Sequence, residues 1–340
     1  MVVSLWVLAI LGIFSTSISY SVRQKISLVD RLDRRYALYG IAEVGIFRAL
    51  AERRKEDTTA YDALNESWSN EENLFRSISV GEEGISRVLY SYVNPEDGTL
   101  KTLYGMQDEE RKINLNTASP KVMSKLFQIA AQLEEEDAEK IAHGVVDWRD
   151  SDDSYSNPSY GAEDDDYEGL EFPYEAKDSR FQVLNELLLI LGMSPEIFEK
   201  IKDFVTVYGV GAININTASK QVLMALELDE ALADKILSYR AGQDREAATL
   251  DDRVFIQPET ITANITSVVP LSGGEVAQIS NLVAAALLTT KSDFFMIRSR
   301  GELSGKRQAM DIEAVVSREG NIISWVTGNP YPLQPEVPAS

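Results

Sequence analysis

Hydrophobic residues open this chain as one unbroken run. Residues 1–22 hold no charged side chain, and a helix of that length, at ~1.5 Å per residue, crosses the ~30 Å hydrocarbon layer. A cleaved signal peptide is the competing interpretation, but the run has neither a basic start nor a clear small-x-small cleavage site. We predict one long helix to about Arg54, its first half in lipid and its second half packed on a folded domain. The predicted packing stripe is Leu28, Leu32, Tyr36, Tyr39, Ile46 and Leu50.

Strand-like alternation lies on both sides of a long middle section. "SRVLYSYV" and "TLKTLY" flank "NPEDG", so a hairpin with a turn at Asp97-Gly98 is predicted within 85–104. Towards the other end, "DFFMIRSRGEL", "MDIEAVVSR" and "NIISWV" also read as strands. The proline-rich residues 328–340 are expected to be disordered.

The middle section, residues 113–290, has helical periodicity. Ser194-Pro195 is a helix start, and Gly192, Gly209 and Gly242 are expected to end helical runs. Val276–Leu288 is a further apolar helix, too short to span a bilayer. The pattern predicts an α+β fold, in which a small α/β unit is split in sequence by an all-α insertion.

One heptapeptide occurs twice in this insertion. "INLNTAS" begins at Ile113 and "ININTAS" begins 100 residues later, at Ile213. The hydroxyl residues Thr117 or Ser119, and their counterparts in the second copy, can cap a helix, and the short asparagines can bond to local backbone. Each copy therefore predicts a helix start in one of two small subdomains. A DNA-binding helix–hairpin–helix also opens with Asn-x-Asn-Thr-Ala, but both copies lack its hairpin glycines.

The net charge of the chain limits the kinds of molecule that it can bind. The net charge is −21, which repels nucleic acid and anionic lipid. The chain has no cysteine and a single histidine, His143, so thiolate and multi-histidine metal sites are excluded; a packing role for His143 is the simpler interpretation.

Acidic residues concentrate between 147 and 178. This stretch has twelve carboxylates, two basic residues and interleaved aromatic residues. Such crowding costs free energy unless a cation neutralises it, and Ca²⁺ takes six to eight oxygen ligands. The composition alone leaves a bound cation and a solvated acidic loop equally open. No EF-hand, phosphate-binding loop, serine-nucleophile elbow or HExxH motif is present.

Taken in order, several segments resemble the type II secretion minor pseudopilin K family (general secretion pathway protein K). They are "SLWVLAIL", "INLNTAS", "VVDWRDSDD", "GAEDDDY", "FQVLNELLLILG", "TVYGVGAININTAS" and the strands from "SDFF". The resemblance implies a pilin-like long N-terminal helix and small antiparallel sheet, with a large all-α insertion that is SAM-like or helix–hairpin–helix-like. The expected boundaries are 1–22 for the transmembrane segment, 23–112 and 291–327 for the pilin-like domain, 113–290 for the insertion with its acidic 147–178 loop, and 328–340 for the tail.

The resemblance also implies a cofactor. Members bind two structural calcium ions in the helical domain. The matching positions here make seven residues candidate ligands: Asp150, Asp152, Asp153, Glu163, Asp164, Asp165 and Asp178.

The family's role implies partners and a location. The chain is expected to be a non-enzymatic tip subunit that joins minor pseudopilins I and J in a heterotrimer, and that meets the pseudopilus and the inner-membrane secretion platform. The first glutamate is Glu43, outside the apolar run, which suits a tip subunit.

The expected orientation is a single pass through the inner membrane with the bulk in the periplasm. Arg23, Lys25, Arg31, Arg34 and Arg35 follow the apolar run, and the positive-inside rule alone would place the bulk in the cytoplasm. Members are made with a short basic leader, cut after a glycine by prepilin peptidase, which would reverse that preference. No such leader precedes Met1, so we expect the chain as given to begin a few residues inside the mature helix.

Two other classes of function stay open at this stage. One is a membrane-anchored DNA-uptake protein that uses the repeated heptapeptide, although the charge and the missing glycines oppose it. The other is a calcium-dependent surface hydrolase, for which no catalytic set is recognisable.

Overall fold

A computed structural model describes residues 1–55, 60–94, 98–305 and 308–328. Over these ranges the helices are α1 (Val2–Arg53), α2 (Glu72–Phe75), α3 (Pro120–Ala131), α4 (Glu135–Arg149), α5 (Asp164–Glu168), α6 (Pro195–Ile201), α7 (Lys220–Ala225), α8 (Glu230–Arg240), α9 (Ile261–Thr266) and α10 (Gly273–Ala284), with 3-10 helices at Leu184–Leu189 and Pro258–Thr260. The strands are β1 (Ile78–Val80), β2 (Gly84–Val88), β3 (Tyr90–Val93), β4 (Leu100–Leu103), β5 (Gln107–Asp108), β6 (Ile113–Asn114), β7 (Val205–Thr206), β8 (Ile213–Asn214), β9 (Leu288–Thr289), β10 (Phe294–Leu303), β11 (Ala309–Ser317) and β12 (Ile322–Thr327). The predicted tail beyond Gly328 lies outside the described residues.

Helix α1 confirms the predicted long helix. It is the one helix of the described residues that is long and apolar enough to cross a membrane. Its side chains are almost all exposed as far as Ala37, and burial begins at Leu38. The predicted stripe was therefore wrong at Leu28, Leu32 and Tyr36, which are exposed. The physical reason is that the sheet covers only the last turns of α1, so helical periodicity before Leu38 has no protein surface to meet.

The main sheet is antiparallel, with strand order β1-β2-β10-β11-β12, and β5 pairs with the beginning of β10. The three strands predicted near the end of the chain are confirmed. The predicted hairpin is confirmed for β3 and β4, which pair Tyr90 with Leu103. Its first arm is divided, however, because residues 84–88 pair with β10 and only residues 90–93 belong to the hairpin. Of its predicted turn, Asp97 lies outside the described residues.

Helix α1 approaches the sheet very closely. A Cβ atom added to Gly45 would lie 2.1 Å from Ser299 Oγ and 2.5 Å from Ser86 Oγ. One added to Gly301 would lie 2.5 Å from the backbone of Ala42. Ser299 Oγ also donates a 2.6 Å hydrogen bond to the Ala42 carbonyl. Two glycines thus let a helix and a strand meet backbone to backbone, over a core that holds Ile46, Trp68, Phe75, Phe295 and Ile312.

Between β5 and β10 the chain forms two units of similar layout. The first unit, residues 113–206, begins with β6 and ends with β7, its parallel partner. The second unit, residues 213–289, begins with β8 and ends with β9, which are also parallel. Each has a pair of helices after its first strand, α3–α4 or α7–α8, and a 3-10 helix before its last helices. The two units share one continuous hydrophobic core.

The two heptapeptides start the first helix of each unit, as predicted. Ser119 and Ser219 are the capping residues, and their hydroxyls accept hydrogen bonds from the amides of Val122 and Val222. Gly209 was expected to end a helix, which is wrong: it follows β7, with a φ of +85°. Its left-handed conformation turns the chain between the two units.

The second asparagine of each heptapeptide has an identical long-range role. Asn116 donates to the Phe181 carbonyl and accepts from the Phe181 amide, at 3.0 and 2.7 Å. Asn216 makes the same two bonds with Phe255, at 2.9 and 2.8 Å. Each asparagine therefore closes the loop that returns from the second helix of its unit. This shared contact explains why the same residue type stands at both places.

The first asparagine differs between the copies. Asn114 donates hydrogen bonds to the carbonyls of Tyr208 and Gly209, which follow the last strand of its own unit. Asn214 instead reaches three distant segments, through the Asp62 carbonyl at 3.0 Å, Asp108 Oδ2 at 3.0 Å and Ser292 Oγ at 2.8 Å. The second heptapeptide thus ties the helical units to the segments that flank the sheet.

A buried charged cluster completes this junction. The fully buried Asp62 carboxylate accepts from Arg53 at 2.8 Å, from Arg318 and from the Ser292 amide. Burial raises the pKa of Asp108, and the nearby Asp62 charge raises it further. Because so many hydrogen bonds would be lost together, we expect the insertion and the sheet to move as one body.

Candidate functional site

The acidic stretch is ordered rather than a free loop. Its first three residues form the last turn of α4, and α5 lies within it, so the predicted 147–178 loop is shorter than expected. Asp147 is fully buried, and its two carboxylate oxygens accept from the Ser156 amide at 2.8 Å and the Ala162 amide at 2.7 Å. Asp147 therefore fixes both ends of the turn that leads from α4 to α5.

Aromatic side chains form the floor of this region. Trp148 and Tyr167 are buried and meet edge to face, with ring centroids 5.4 Å apart. Tyr174 packs on both rings. Phe172 is 79% exposed and takes no part. Anchoring by two buried rings gives the acidic side chains a rigid base.

Two candidate ligands carry carboxylate oxygens without a hydrogen-bond partner. Glu163 is 5% exposed, and its Oε1 atom is buried and unpaired; the same holds for Oδ1 of Asp150. Burial raises the pKa of Glu163 to about 7, and the charges of Asp147, Asp150, Asp178 and Asp153 add to the rise. Burial and carboxylate neighbours likewise raise the pKa of Asp150. Unpaired buried oxygens surrounded by like charge are what a hard cation would satisfy.

The other candidate ligands differ in their surroundings. Asp178 has a positive φ of 52°, and burial followed by the charges of Asp164 and Asp153 raises its pKa. Asp164 accepts from the Ala176 amide at 2.7 Å, and Asp152 accepts from the Ser154 amide at 3.0 Å. Asp165 is exposed on α5.

Within the described ranges no three acidic or histidine side chains already converge as a metal site. The structure thus gathers Asp150, Asp152, Asp153, Glu163, Asp164 and Asp178 into one electrostatic neighbourhood without a finished coordination shell. The donor set, all carboxylates, fits Ca²⁺ better than a transition metal.

Sequence reasoning missed Asp147 as a site residue. It follows the apolar helical residues Val145 and Val146, and an acid at the buried end of an apolar stripe was the available signal. Asp147 accepts a hydrogen bond from the Ala162 amide, and the candidate ligand Glu163 is the next residue in the sequence after Ala162. His143 packs against the same turn, with Nδ1 2.8 Å from Ser156 Oγ and its ring stacked on Tyr160.

A pH dependence follows from Glu163 in the cation-free protein. Its pKa of about 7 in the folded state lies above its ordinary value of 4.5, so the folded chain binds more protons than the unfolded chain between those values. Stability therefore falls as pH rises from about 4.5 to 7, by an order of 2–3 kcal/mol. Thermal melts in chelator should show Glu163→Gln losing part of this slope. An unchanged slope in the variant would contradict the assignment.

The helix pairs do not provide a phosphate-binding hairpin. The connector between α3 and α4 turns at Gln132, and that between α7 and α8 turns at Glu227, both with positive φ. Helix α4 begins with three acids and α8 with Glu230. Acidic side chains at a helix N-terminus occupy the place where a nucleic-acid phosphate would bind.

Comparison with known proteins bears on these features. A family model described as "Type II secretion system (T2SS), protein K" matches residues 98–210, which include Asp108, the first heptapeptide and the acidic stretch. The type II secretion system protein K of Aeromonas hydrophila is 23% identical over 293 residues, covering 83% of this chain and 80% of that protein. Residues 98–210 thus match the type II secretion system protein K family, and most of the chain is similar to a protein of that name.

Two further similarities describe how far the family likeness extends. The protein K of Pectobacterium carotovorum subsp. carotovorum is 36% identical over 98 residues, 27% of this chain and 29% of that protein. The crystal structure of the GspK-GspI-GspJ complex from enterotoxigenic Escherichia coli contains a chain with a TM-score of 0.63 and 16% identity. The match covers 88% of this chain and 98% of that one, so the fold is shared along nearly all of the protein K chain.

Proposed function

We propose that this chain is a non-enzymatic minor pseudopilin at the tip of the type II secretion pseudopilus. It would initiate pseudopilus assembly with minor pseudopilins I and J, for export of folded proteins across the outer membrane. The observation that carries the proposal is α1, which joins an exposed apolar segment to the sheet without a break, in a chain whose residues 98–210 match the protein K family. Exposed helices of this kind are stable when other helices or lipid cover them.

The insertion supports a place at the tip. It contributes most of the described helices and joins the sheet through the buried cluster around Asp62, Asp108 and Asn214. A bulky body held rigidly at this point leaves no room for a subunit stacked above it.

Partners and location follow from the same proposal. The similar structure is that of a complex which also contains GspI and GspJ. We propose that this chain forms a heterotrimer of the same kind with minor pseudopilins I and J. Residues 1–22 would lie in the inner membrane, near the secretion platform, and the rest would lie in the periplasm. The net charge of −21 and the acidic helix connectors favour this role over DNA binding.

A secretion assay tests the proposal in cells. In a strain that lacks its own protein K, exported proteins should collect in the periplasm, and the intact chain should return them to the medium. A variant with residues 2–22 replaced by a charged sequence should fail, at equal protein level. Secretion that is unaffected by loss of the chain would refute the role.

We also propose that the acidic region binds calcium, with Asp150, Asp153, Glu163, Asp164 and Asp178 as the first ligands to test and Asp152 and Asp165 as outer ones. Calcium would neutralise the crowded carboxylates and satisfy the unpaired oxygens of Asp150 and Glu163. The seven residues supply oxygen ligands enough for two ions.

Calcium titration of the chelator-treated protein measures this directly. A ligand that binds only the folded state raises the melting temperature as its concentration rises. At a ligand concentration of a hundred times Kd, the free energy of unfolding increases by about 2.7 kcal/mol. The rise should vanish in Asp150→Asn/Glu163→Gln and persist in Glu171→Gln/Glu175→Gln, a matched pair of exposed acids from the same stretch. Equal rises in both double variants, or none in the wild type, would contradict the site.

A further inference from the structure

A cavity of about 180 Å³ lies between the β3–β4 hairpin and the helical units, away from the acidic region. Its wall includes Tyr92 from the hairpin, Gln107 and Arg111 from the segment that enters the insertion, and Ser219 and Lys220 from the start of α7. The space accommodates several waters or a small polyatomic ion. It is therefore large enough to be considered as a binding site.

The guanidinium of Arg111 is the unusual feature of this wall. Arg111 is 9% exposed, and its Nη1 atom is buried without a hydrogen-bond partner. Among the described ion pairs none involves Arg111, and its recorded contact is with the Tyr92 ring, 5.7 Å from the guanidinium carbon. A buried charge that lacks a counter-charge is strongly destabilising.

The described neighbours of Arg111 include further cations. Arg240 is buried beside it and donates to the Ala218 carbonyl at 2.6 Å. Burial lowers the pKa of Arg240, the charges of Tyr92 and Asp252 act in the opposite direction, and the charge of Arg111 lowers the pKa again. Lys220 adds a third cation, already paired with Glu230 and Asp234. Asp203, the carboxylate among the lining residues, is exposed.

The rest of the wall can hydrogen-bond an anion. Gln107 is 8% exposed and carries an amide that can donate, and Ser219 supplies a hydroxyl at the rim. A planar guanidinium presents paired N–H groups that match the two oxygens of a carboxylate or phosphate. A chain of charge −21 does not attract anions generally, so a buried and uncompensated cation here calls for a specific partner.

We propose that this cavity is an oxyanion-binding site, in which Arg111 holds a carboxylate or phosphate group with help from Gln107 and Ser219. The ligand joins three parts of the chain, namely the hairpin, the entry segment and the second heptapeptide. Its binding would therefore stiffen the contact between the sheet side of the molecule and the second helical unit.

Thermal melts of the full chain in detergent test the site with simple probes. Sodium acetate and sodium phosphate are each compared with sodium chloride at one pH and one ionic strength. We expect acetate or phosphate to raise the melting temperature of the wild type beyond chloride. A rise with acetate alone points to a carboxylate ligand, a rise with phosphate alone to a phosphorylated one, and both support the site. No rise with either anion overturns the proposal.

Two variants locate the effect. Arg111→Gln should abolish the anion-dependent rise, while in chloride it should melt at the same or a higher temperature than the wild type, because an unpaired buried charge is gone. A purely structural arginine would instead lower the melting temperature in chloride. Arg253→Gln is the matched control, since Arg253 also lies over a tyrosine ring but does not line the cavity; it should keep the full rise. If Arg111→Gln keeps the rise, the proposal fails.

A further variant keeps the test decisive. Should Arg111→Gln not fold, Arg111→Lys retains the charge but loses the fork, and its rise should shrink several-fold.

Discussion

Gly45→Val should destabilise the protein by about 3 kcal/mol or more. The first added carbon would already lie 2.1 Å from Ser299 Oγ, so helix α1 must move off the sheet or the strands must shift. Overpacking a tight contact costs ~1–3 kcal/mol, and here the Ser299 bond to the Ala42 carbonyl is also lost. Thermal unfolding of the full chain in detergent, followed by circular dichroism, measures the loss.

Gly40→Val is the matched control for this prediction. Gly40 lies on the same helix, and a Cβ there meets no atom within 4 Å. Its change should stay within ~0.5 kcal/mol, because valine is slightly better than glycine in a helix. Equal melting temperatures for the two variants would show that α1 does not meet the sheet at Gly45.

Asp62→Asn should cost about 3–5 kcal/mol, the usual result of removing one partner from a buried charge cluster. Asp62 is fully buried and accepts from Arg53 and Arg318 as well as from the Ser292 amide. The amide keeps the shape of the side chain but removes the charge that both arginines face. Limited proteolysis should then cut between the sheet and the insertion sooner than in the wild type.

The exposed pair of Glu72 with Arg76 provides the comparison. Both side chains are more than half exposed, so Glu72→Gln should change the unfolding free energy by less than ~0.5 kcal/mol. A loss at Glu72 as large as that at Asp62 would mean that net charge, rather than the buried junction, controls stability.

Local signals in the sequence predicted those elements that depend on neighbouring residues. The long helix, the three last strands, the Ser194 cap and the starts of the two heptapeptide helices all follow from periodicity or capping within a few residues. The heptapeptide predicted a helix start in each of the two units, because its hydroxyl residues can cap the helix that directly follows.

Contacts between distant segments could not be predicted in this way. Asn114 and Asn214 occupy the same place in their motifs, yet only Asn214 meets Asp62, Asp108 and Ser292. Which asparagine has this role depends on where the sheet lies relative to each unit. The same limit explains the exposed Leu28 and Leu32, because helical spacing shows which residues share a face but not whether anything covers it.

The acidic region was predicted in part from the sequence. The crowding of carboxylates was visible in the sequence, and six of the seven named residues do lie in one electrostatic neighbourhood. Asp147 was missed because its importance lies in two amide contacts across the turn, at Ser156 and Ala162. Arg111 was missed too, since only the packing around it shows that its Nη1 atom is buried without a hydrogen-bond partner among the described residues.

Assembly with minor pseudopilins I and J is the most direct test of the account. The full chain would be co-expressed with both proteins, and the membranes would be solubilised in mild detergent. The complex would be purified by an affinity tag on the chain, and its mass would be measured by native mass spectrometry. We expect one complex with one copy of each of the three proteins, present at micromolar concentration and stable to dilution. Recovery of the chain alone, while I and J still bind each other in the same sample, would contradict it.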